Sequence, residues 1–430
     1  MITIDSFRLE SEAPISARMD EFPGIESLEK MAEASGFSLL ESTLSAYGRG
    51  KRTFIAREPI SELTFSSNEL LPRRWGEIFD DFVSDRSKFY VVLLSYEFGQ
   101  ELVLEQLPSG PRDGSTTPRI VVLAYDSVSR TEGGLASHPG IEEDQLFITH
   151  GKAKMMRAPC RDRYESRVRA IKSLIREGEI YQANLTDCWD IKSPKSPWEV
   201  YCELKKLNPS QYAAFVNLGE TQIISSSPER LFETDGSRIS ANPIKGTISA
   251  GANAWERDRN LKALLASEKD KAELLMIVDL LRNDLGKICQ TGSVVTQSIW
   301  SPESYSSVIH LAGSITGKLN SAVTPSQIIK AVFPGGSITG APKCRAIRAL
   351  SEIESVPRGI YTGSIGYIDG TRFELNIAIR TLVASNGIYR AYAGGGIVAD
   401  SDPLAEYDEA CLKARNLIRA IDPELNVCQK

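Results

Sequence analysis

The sequence predicts an α/β (α+β) protein in which short buried strands are mixed with amphipathic helices. Three observations carry that expectation. Residues 89–96 and 119–125 are apolar runs flanked by polar stretches, the pattern of buried strands. Between residues 180 and 230, three short strand-like segments follow one another, each with a polar end. Residues 260–285 and 403–421 carry apolar side chains at helical spacing.

A chain of 430 residues is long enough for two or three domain-sized units and a large core. The expected division is an N-terminal part, 1–155, and a second part, 156–425, packed together as one globule. Hydrophobic content of 42% and charged content of 25% are those of an ordinary globular protein. A net charge of −6 argues against a nucleic-acid partner. It suits an enzyme that meets a small anionic substrate with local positive charge. The seven cysteines lie far apart without a CxxC pair, which disfavours disulfides and zinc and points to a reducing, cytoplasmic setting. The first residues do not resemble a signal peptide, and no apolar run reaches the length needed to cross a bilayer, so no membrane association is expected.

In chain order, residues 27–34 read as helix and 37–42 as a strand end. Residues 107–114 are a loop by composition, and 127–144 form a second polar stretch. Tyr164, Val168, Ile171 and Ile175 line one side of a helix over 162–177, with Gly178 as its stop. Strands are expected at 180–186, 212–216 and 223–230. The 260–285 helix turns Leu264, Leu265, Leu274, Leu275, Val278 and Leu281 to the core. On it, Asp270 and Glu273 share a face. The 403–421 helix opens on Asp402 followed by proline. There Glu406 and Glu409 share a face, and Lys413 lies one turn beyond.

The string Asn242-Pro243-Ile244-Lys245-Gly246-Thr247 puts one lysine on a stiff backbone, where Gly246 lets a ligand come close. Taken alone, it reads as a surface lysine in a strand-ending turn. Two acidic pairs on two helices are ordinary on solvated faces. Facing each other, they make an all-oxygen pocket of the kind Mg²⁺ accepts. Residues 333–343 form a glycine-rich loop opening a helix at 344–353, a start suited to anions. Pro342 and Cys344 exclude a Walker A ending. Gly394, Gly395 and Gly396 form a second loop after a strand at 387–392, where a backbone or a ligand must approach closely. Arg380, ending a strand over 373–379, needs an anionic partner from the protein or a ligand. His310 reads either as a core histidine or as part of a site.

Together these strings resemble the chorismate-utilising enzymes, and among them the aminodeoxychorismate synthases. Ser227-Pro228-Glu229-Arg230, the Lys245 string, residues 270–286, 335–343, 361–367, 378–380 and 394–409 carry the resemblance. Anthranilate synthases resemble the chain almost everywhere but carry alanine where Lys245 stands. The resemblance implies two facing antiparallel sheets inside outer helices, with the site in a cleft between them. It implies Mg²⁺ held by Glu273 and Glu409, supported by Asp270 and Glu406. Substrate contacts would come from Gly246, Thr247, Ser337, Tyr361, Arg380, Gly394, Gly395, Gly396 and Lys413. Catalysis would fall to Lys245 as nucleophile and Glu229 as proton donor and acceptor, with His310 lining the site. Lys245 would be primed as a neutral amine only once metal and Arg380 neutralise the nearby carboxylates. The implied reaction converts chorismate and ammonia to 4-amino-4-deoxychorismate, for p-aminobenzoate and folate synthesis. The ammonia would come from a glutamine amidotransferase subunit. Alternatives are an anthranilate synthase component I and a non-catalytic chorismate-binding regulatory subunit. Two strings depart from the family pattern. Ile248-Ser249-Ala250-Gly251 replaces the Arg-Gly that most relatives carry after Thr247, and Arg49-Gly50-Lys51-Arg52 is not the usual continuation of a tryptophan pocket. That pocket would use Ser42, Gln211, Tyr212 and Ala213.

Overall fold

The computed structural model describes residues 2–6, 25–44, 52–66, 71–105, 117–133, 151–305 and 308–428. Its strands form two sheets, and all the described pairings are antiparallel. The first holds Phe89–Leu94, Ile120–Tyr125, Ser364–Asp369, Val308–Lys318 and Ile244–Ser249; the second holds Gln182–Lys192, Ile388–Ile397, Thr221–Ser227 and Tyr212–Asn217. Segments from before and after residue 155 contribute to both sheets. Phe89–Leu94 pairs with Ser364–Asp369, and Ser38–Glu41 with Tyr212–Asn217.

Side chains alternate across each strand, so both faces must find a partner. Phe89, Val91 and Leu93 pack between the sheets with Leu123, Val216 and Tyr392. Tyr90, Val92 and Leu94 pack outward with Trp75 and Phe79 of the Trp75–Phe82 helix. On the far side, Leu185 and Phe215 of the second sheet meet Tyr164, Val168 and Leu417 of outer helices. The layers therefore run helix, sheet, sheet, helix, as the resemblance implied. Burial on both faces is why these strands appear in the sequence as unbroken apolar runs.

Several elements differ from the sequence expectation. The 89–96 strand stops at Leu94, because the Ser95 hydroxyl accepts from the Phe98 N–H and caps the Tyr96–Leu104 helix. The 260–285 helix is two helices, Ala254–Ala266 and Glu268–Gly286, broken at Ser267. Ser267 ends the first and caps the second, accepting from the Asp270 N–H at 3.3 Å. Asp270 thus sits in a helix's first turn, where a carboxylate is favoured. Leu275, expected in the core, is 42% exposed. Gly394, Gly395 and Gly396 lie within the Ile388–Ile397 strand rather than in a loop, paired with Thr186, Leu185 and Asn184. The polar stretch at 127–144 holds a short strand, Ser129–Glu132. Its remainder from 134, the 107–114 loop and residues 49–51 lie outside the described residues. All seven cysteines are free thiols, and no described helix is long and apolar enough to cross a membrane.

Candidate active site

Two passages of the chain from one sheet to the other form the floor of a cleft. Ser227 ends a strand of the second sheet and Arg230 begins one of the first, so Glu229 lies in the crossing. The strand ending at Asn376 belongs to the first sheet and the one starting at Thr381 to the second, so Arg380 lies in the return crossing. The Ile377 N–H donates to the Glu229 carbonyl at 2.9 Å and the Ser226 N–H to the Arg380 carbonyl at 3.0 Å, which locks the crossings side by side. Arg380 adopts a φ of +53°, sparsely populated for a residue with a Cβ. Its Nη1 donates to the Lys413 carbonyl at 2.6 Å. Among the described residues no carboxylate lies within ion-pair distance of it.

Lys245 enters from the side on a bulge. In the Ile244–Ser249 strand, Lys245 pairs with Leu311 and Thr247 with His310, so Gly246 is the extra residue. Gly246 has a φ of +63°, and a Cβ on it would meet the Asp270 Cγ at 2.9 Å and Leu264 Cδ1 at 2.9 Å. The bulge brings Lys245 and Thr247 to one cleft: the Lys245 Nζ donates to the Ser337 carbonyl at 3.3 Å, and Thr247 Oγ1 lies 2.8 Å from His310 Nδ1. Gly246→Ala should strain the backbone and push Asp270 aside. The expected result is a turnover loss of at least about tenfold with the melting temperature lowered by less than about 8 °C, measured by steady-state kinetics and calorimetry.

The cleft has a volume of about 510 Å³. Its lining gathers Glu229, Lys245, Gly246, Thr247, Asp270, Glu273, His310, Ser337, Tyr361, Arg380, Gly394, Gly396, Glu409 and Lys413. Gly395 and Glu406 lie just behind it. A Cβ on Gly395 would come within 3.1 Å of Glu406 Oε2, 3.6 Å of Glu409 Oε1 and 3.7 Å of Lys413 Nζ, so a glycine there keeps room for the carboxylates. The loop before the 343–353 helix contributes Ser337 and Ile338, from the turn Gly336–Ile338. The start of that helix, expected as an anion site, is not part of the lining, and Lys343 pairs with Asp284 at 2.8 Å.

Burial pushes the Glu229 carboxyl above the usual range, opposed by Lys245 and Ser337. The Ser337 hydroxyl acts on Glu229 as a hydrogen-bonding neighbour, though among the described residues neither it nor Glu229 Oε1 makes a hydrogen bond of good geometry. Burial also holds the Lys245 amine below the ordinary lysine range, against the pull of Glu273 and Glu229. Desolvation is the largest cause of that direction, with the Lys413 charge adding to it and Glu409 opposing it as well. Burial raises Glu273, with Asp270 and Glu409 adding like charge, while Lys245 and Lys269 oppose. Burial would also raise Glu409, but Lys413, in contact at 2.6 Å, holds it below the usual range. Tyr361 stacks on Tyr392 at 5.2 Å, and burial raises its hydroxyl.

For Mg²⁺ the donor chemistry fits: two helices aim carboxylates at one cleft, against a glycine that leaves them room. No three His, Cys, Asp or Glu side chains among the described residues are already gathered as a metal cluster. A cation would therefore be held by few carboxylates together with other oxygens.

The sequence reading passed over Lys269, which lines the cleft with its Nζ 4.0 Å from Glu273 Oε1. A lysine in a helix's first turn reads as solvated. The one available signal was Ser267 three residues before Asp270, a helix start that places Lys269 beside the acidic pair. Three of the four residues expected around tryptophan lie together. Gln211, Tyr212 and Ala213 line a second cavity of about 130 Å³ with Glu41, Arg52 and Arg230. Ser42 is not in that lining, and its hydroxyl donates to the Leu44 carbonyl at 3.1 Å.

A family model described as chorismate binding enzyme matches residues 41–419, and the chain belongs to that family. It is similar to aminodeoxychorismate synthase component 1 of Escherichia coli, 35% identical over 304 residues, 70% of this chain and 66% of that one. It is also similar to an aminodeoxychorismate synthase of Streptomyces griseus, 40% identical over 264 residues, 61% of this chain and 36% of the relative. Anthranilate synthase component 1 of Aquifex aeolicus is 31% identical over 408 residues, 87% of this chain and 82% of that one. The chain spans 36%, 54% and 34% of the length of three of the curated relatives it matches. Among solved structures, anthranilate synthase component I from Streptococcus pneumoniae superposes with a TM-score of 0.73 at 27% identity, covering 87% of this chain and 93% of that one.

Proposed function

We propose that this chain is an aminodeoxychorismate synthase component I, converting chorismate and ammonia to 4-amino-4-deoxychorismate. The observation that carries the reading is Lys245, an amine held below its ordinary range beside a protonatable Glu229. The names of the relatives do not separate this activity from anthranilate synthesis, because both kinds occur at similar identity. Anthranilate synthesis is the second reading, favoured by the length of the match to the Aquifex aeolicus relative.

In the proposed reaction the neutral Lys245 Nζ attacks chorismate C2. The ring double bonds shift, and the C4 hydroxyl leaves as water on taking the Glu229 proton. Lys245 loses its extra proton to solvent. Ammonia then forms a bond at C4, the double bonds shift back, and the C2–N bond to Lys245 breaks as Nζ takes a proton back from solvent, so that lysine leaves as a neutral amine. Glu229, now a carboxylate, accepts the proton that ammonia sheds. Splitting one difficult displacement into two is the gain from covalent catalysis. Arg380, with no carboxylate at ion-pair distance among the described residues, suits the enolpyruvyl carboxylate, with Tyr361 and Lys413 beside it. Mg²⁺, held by Glu273 and Glu409 with Asp270 and Glu406 behind, would supply positive charge for the ring carboxylate.

Ammonia is scarce at neutral pH, and no Gly-x-Cys-x-Gly glutaminase string occurs in this sequence. A glutamine amidotransferase partner is the proposed nitrogen source. One assay tests the whole reading: purified chain, chorismate and Mg²⁺, with ammonium or with glutamine. Aminodeoxychorismate from ammonium and no product from glutamine is the expected result. Anthranilate and pyruvate would establish the second reading, and glutamine-driven turnover by the chain alone would remove the partner.

A further inference from the structure

We infer that Ser401 is a positioning residue that fixes which oxygen of Glu406 is turned toward Gly395, on the side of Glu409; the inference rests on the reading that Glu273 and Glu409, supported by Asp270 and Glu406, hold a divalent cation. Ser401 is 3% exposed, in the turn between the glycine strand and the Pro403–Ile421 helix. Its Oγ lies 2.6 Å from Glu406 Oε1 and accepts from the Val398 N–H at 3.0 Å. An N–H can only donate, and an ionised carboxylate can only accept. The hydroxyl's single proton is therefore committed to Oε1. That leaves Oε2 as the oxygen turned to Gly395, on the side where Glu409 Oε1 and Lys413 Nζ also lie.

The serine is itself held from outside the turn. Its N–H donates to the Val398 carbonyl at 3.1 Å, and the Lys172 Nζ, from the Arg161–Arg176 helix, donates to the Ser401 carbonyl at 2.5 Å. A chain of contacts thus runs from an outer helix through Ser401 to a carboxylate behind the cleft. Partners of this kind orient groups at metal sites, and their loss weakens the metal rather than the fold. The hydroxyl also accepts from the Val398 N–H, and that bond would go with it, whereas the bond from the Ser401 N–H to the Val398 carbonyl would survive its removal.

The test is Mn²⁺ binding to the purified full chain, read as free Mn²⁺ by electron paramagnetic resonance. Wild type should bind Mn²⁺ and Glu273→Gln should not. Ser401→Ala should bind about 10–100-fold more weakly, with an unchanged circular dichroism spectrum, and Ser401→Thr should restore most of the affinity. Because Ser401 acts through Glu406, adding Ser401→Ala to Glu406→Gln should cause no further loss. Binding by Ser401→Ala within about twofold of wild type, or an equal loss in the Glu406→Gln background, overturns the role of Ser401 while the metal site stands. Equal Mn²⁺ binding by wild type and Glu273→Gln, or none by wild type, overturns the metal reading and this inference together.

Discussion

Lys245→Ala should lose roughly a hundredfold or more in kcat with ammonia, about 2.7 kcal/mol of barrier, while chorismate binding stays close to that of wild type. Binding persists because Arg380, Tyr361 and the acidic cluster are untouched. The residual rate comes from direct attack of ammonia on the ring. The pH profile carries the sharper signature. Lys245 attacks only as a neutral amine, so the rate should rise with pH as the amine deprotonates. Its pKa lies below the ordinary lysine range, so that limb should fall at lower pH than a solvent-exposed lysine would give. Glu229 must be protonated to release the hydroxyl. Its raised pKa keeps that form available at higher pH than an ordinary carboxyl, and its loss should bring the rate down again on the alkaline side. Lys245→Ala should remove the acid limb. Profiles of kcat/KM for both proteins, fitted over the same range, check this.

Glu273→Gln and Glu409→Gln should each reduce turnover more than about a hundredfold, because a Mg²⁺ site loses a charged oxygen that no neighbour replaces. Glu273 is a partly buried carboxylate whose ionised form gains support from Lys245 and Lys269 and repulsion from Asp270 and Glu409. A divalent cation relieves that repulsion and stabilises the folded state by mass action. Adding Mg²⁺ should therefore raise the melting temperature of wild type, and the increase should vanish in both variants. Calorimetry with and without the metal measures it. An equal increase in all three proteins, or full activity in excess chelator, would remove the metal assignment.

The strings around Glu229, Lys245, Glu273, Arg380 and Glu409 were legible because each has fixed local chemistry, and all of them reach one cleft. What the sequence withheld depends on pairing over long separations. The bulge at Gly246 exists only because Lys245 and Thr247 face Leu311 and His310, more than sixty residues away. Gly394, Gly395 and Gly396 resemble a turn locally, yet pairing with residues 184–186 makes them strand. The crossings that put Glu229 beside Arg380 join residues about 150 apart, with no mark in either segment alone. Ser267 was a local signal for the helix break, masked by the strong apolar periodicity on both sides of it.

The covalent route requires Lys245 to form a bond to chorismate, and the most direct measurement is the intact mass of the protein. Enzyme, chorismate and Mg²⁺ are mixed without ammonia, quenched within the turnover time, and digested after the intact mass is taken. The predicted result is an added mass of chorismate less water, mapping to the peptide that contains Lys245 and absent from Lys245→Ala. No added mass, together with an alanine variant that turns over at the wild-type rate, would contradict the account and leave Lys245 as a residue that only positions the substrate.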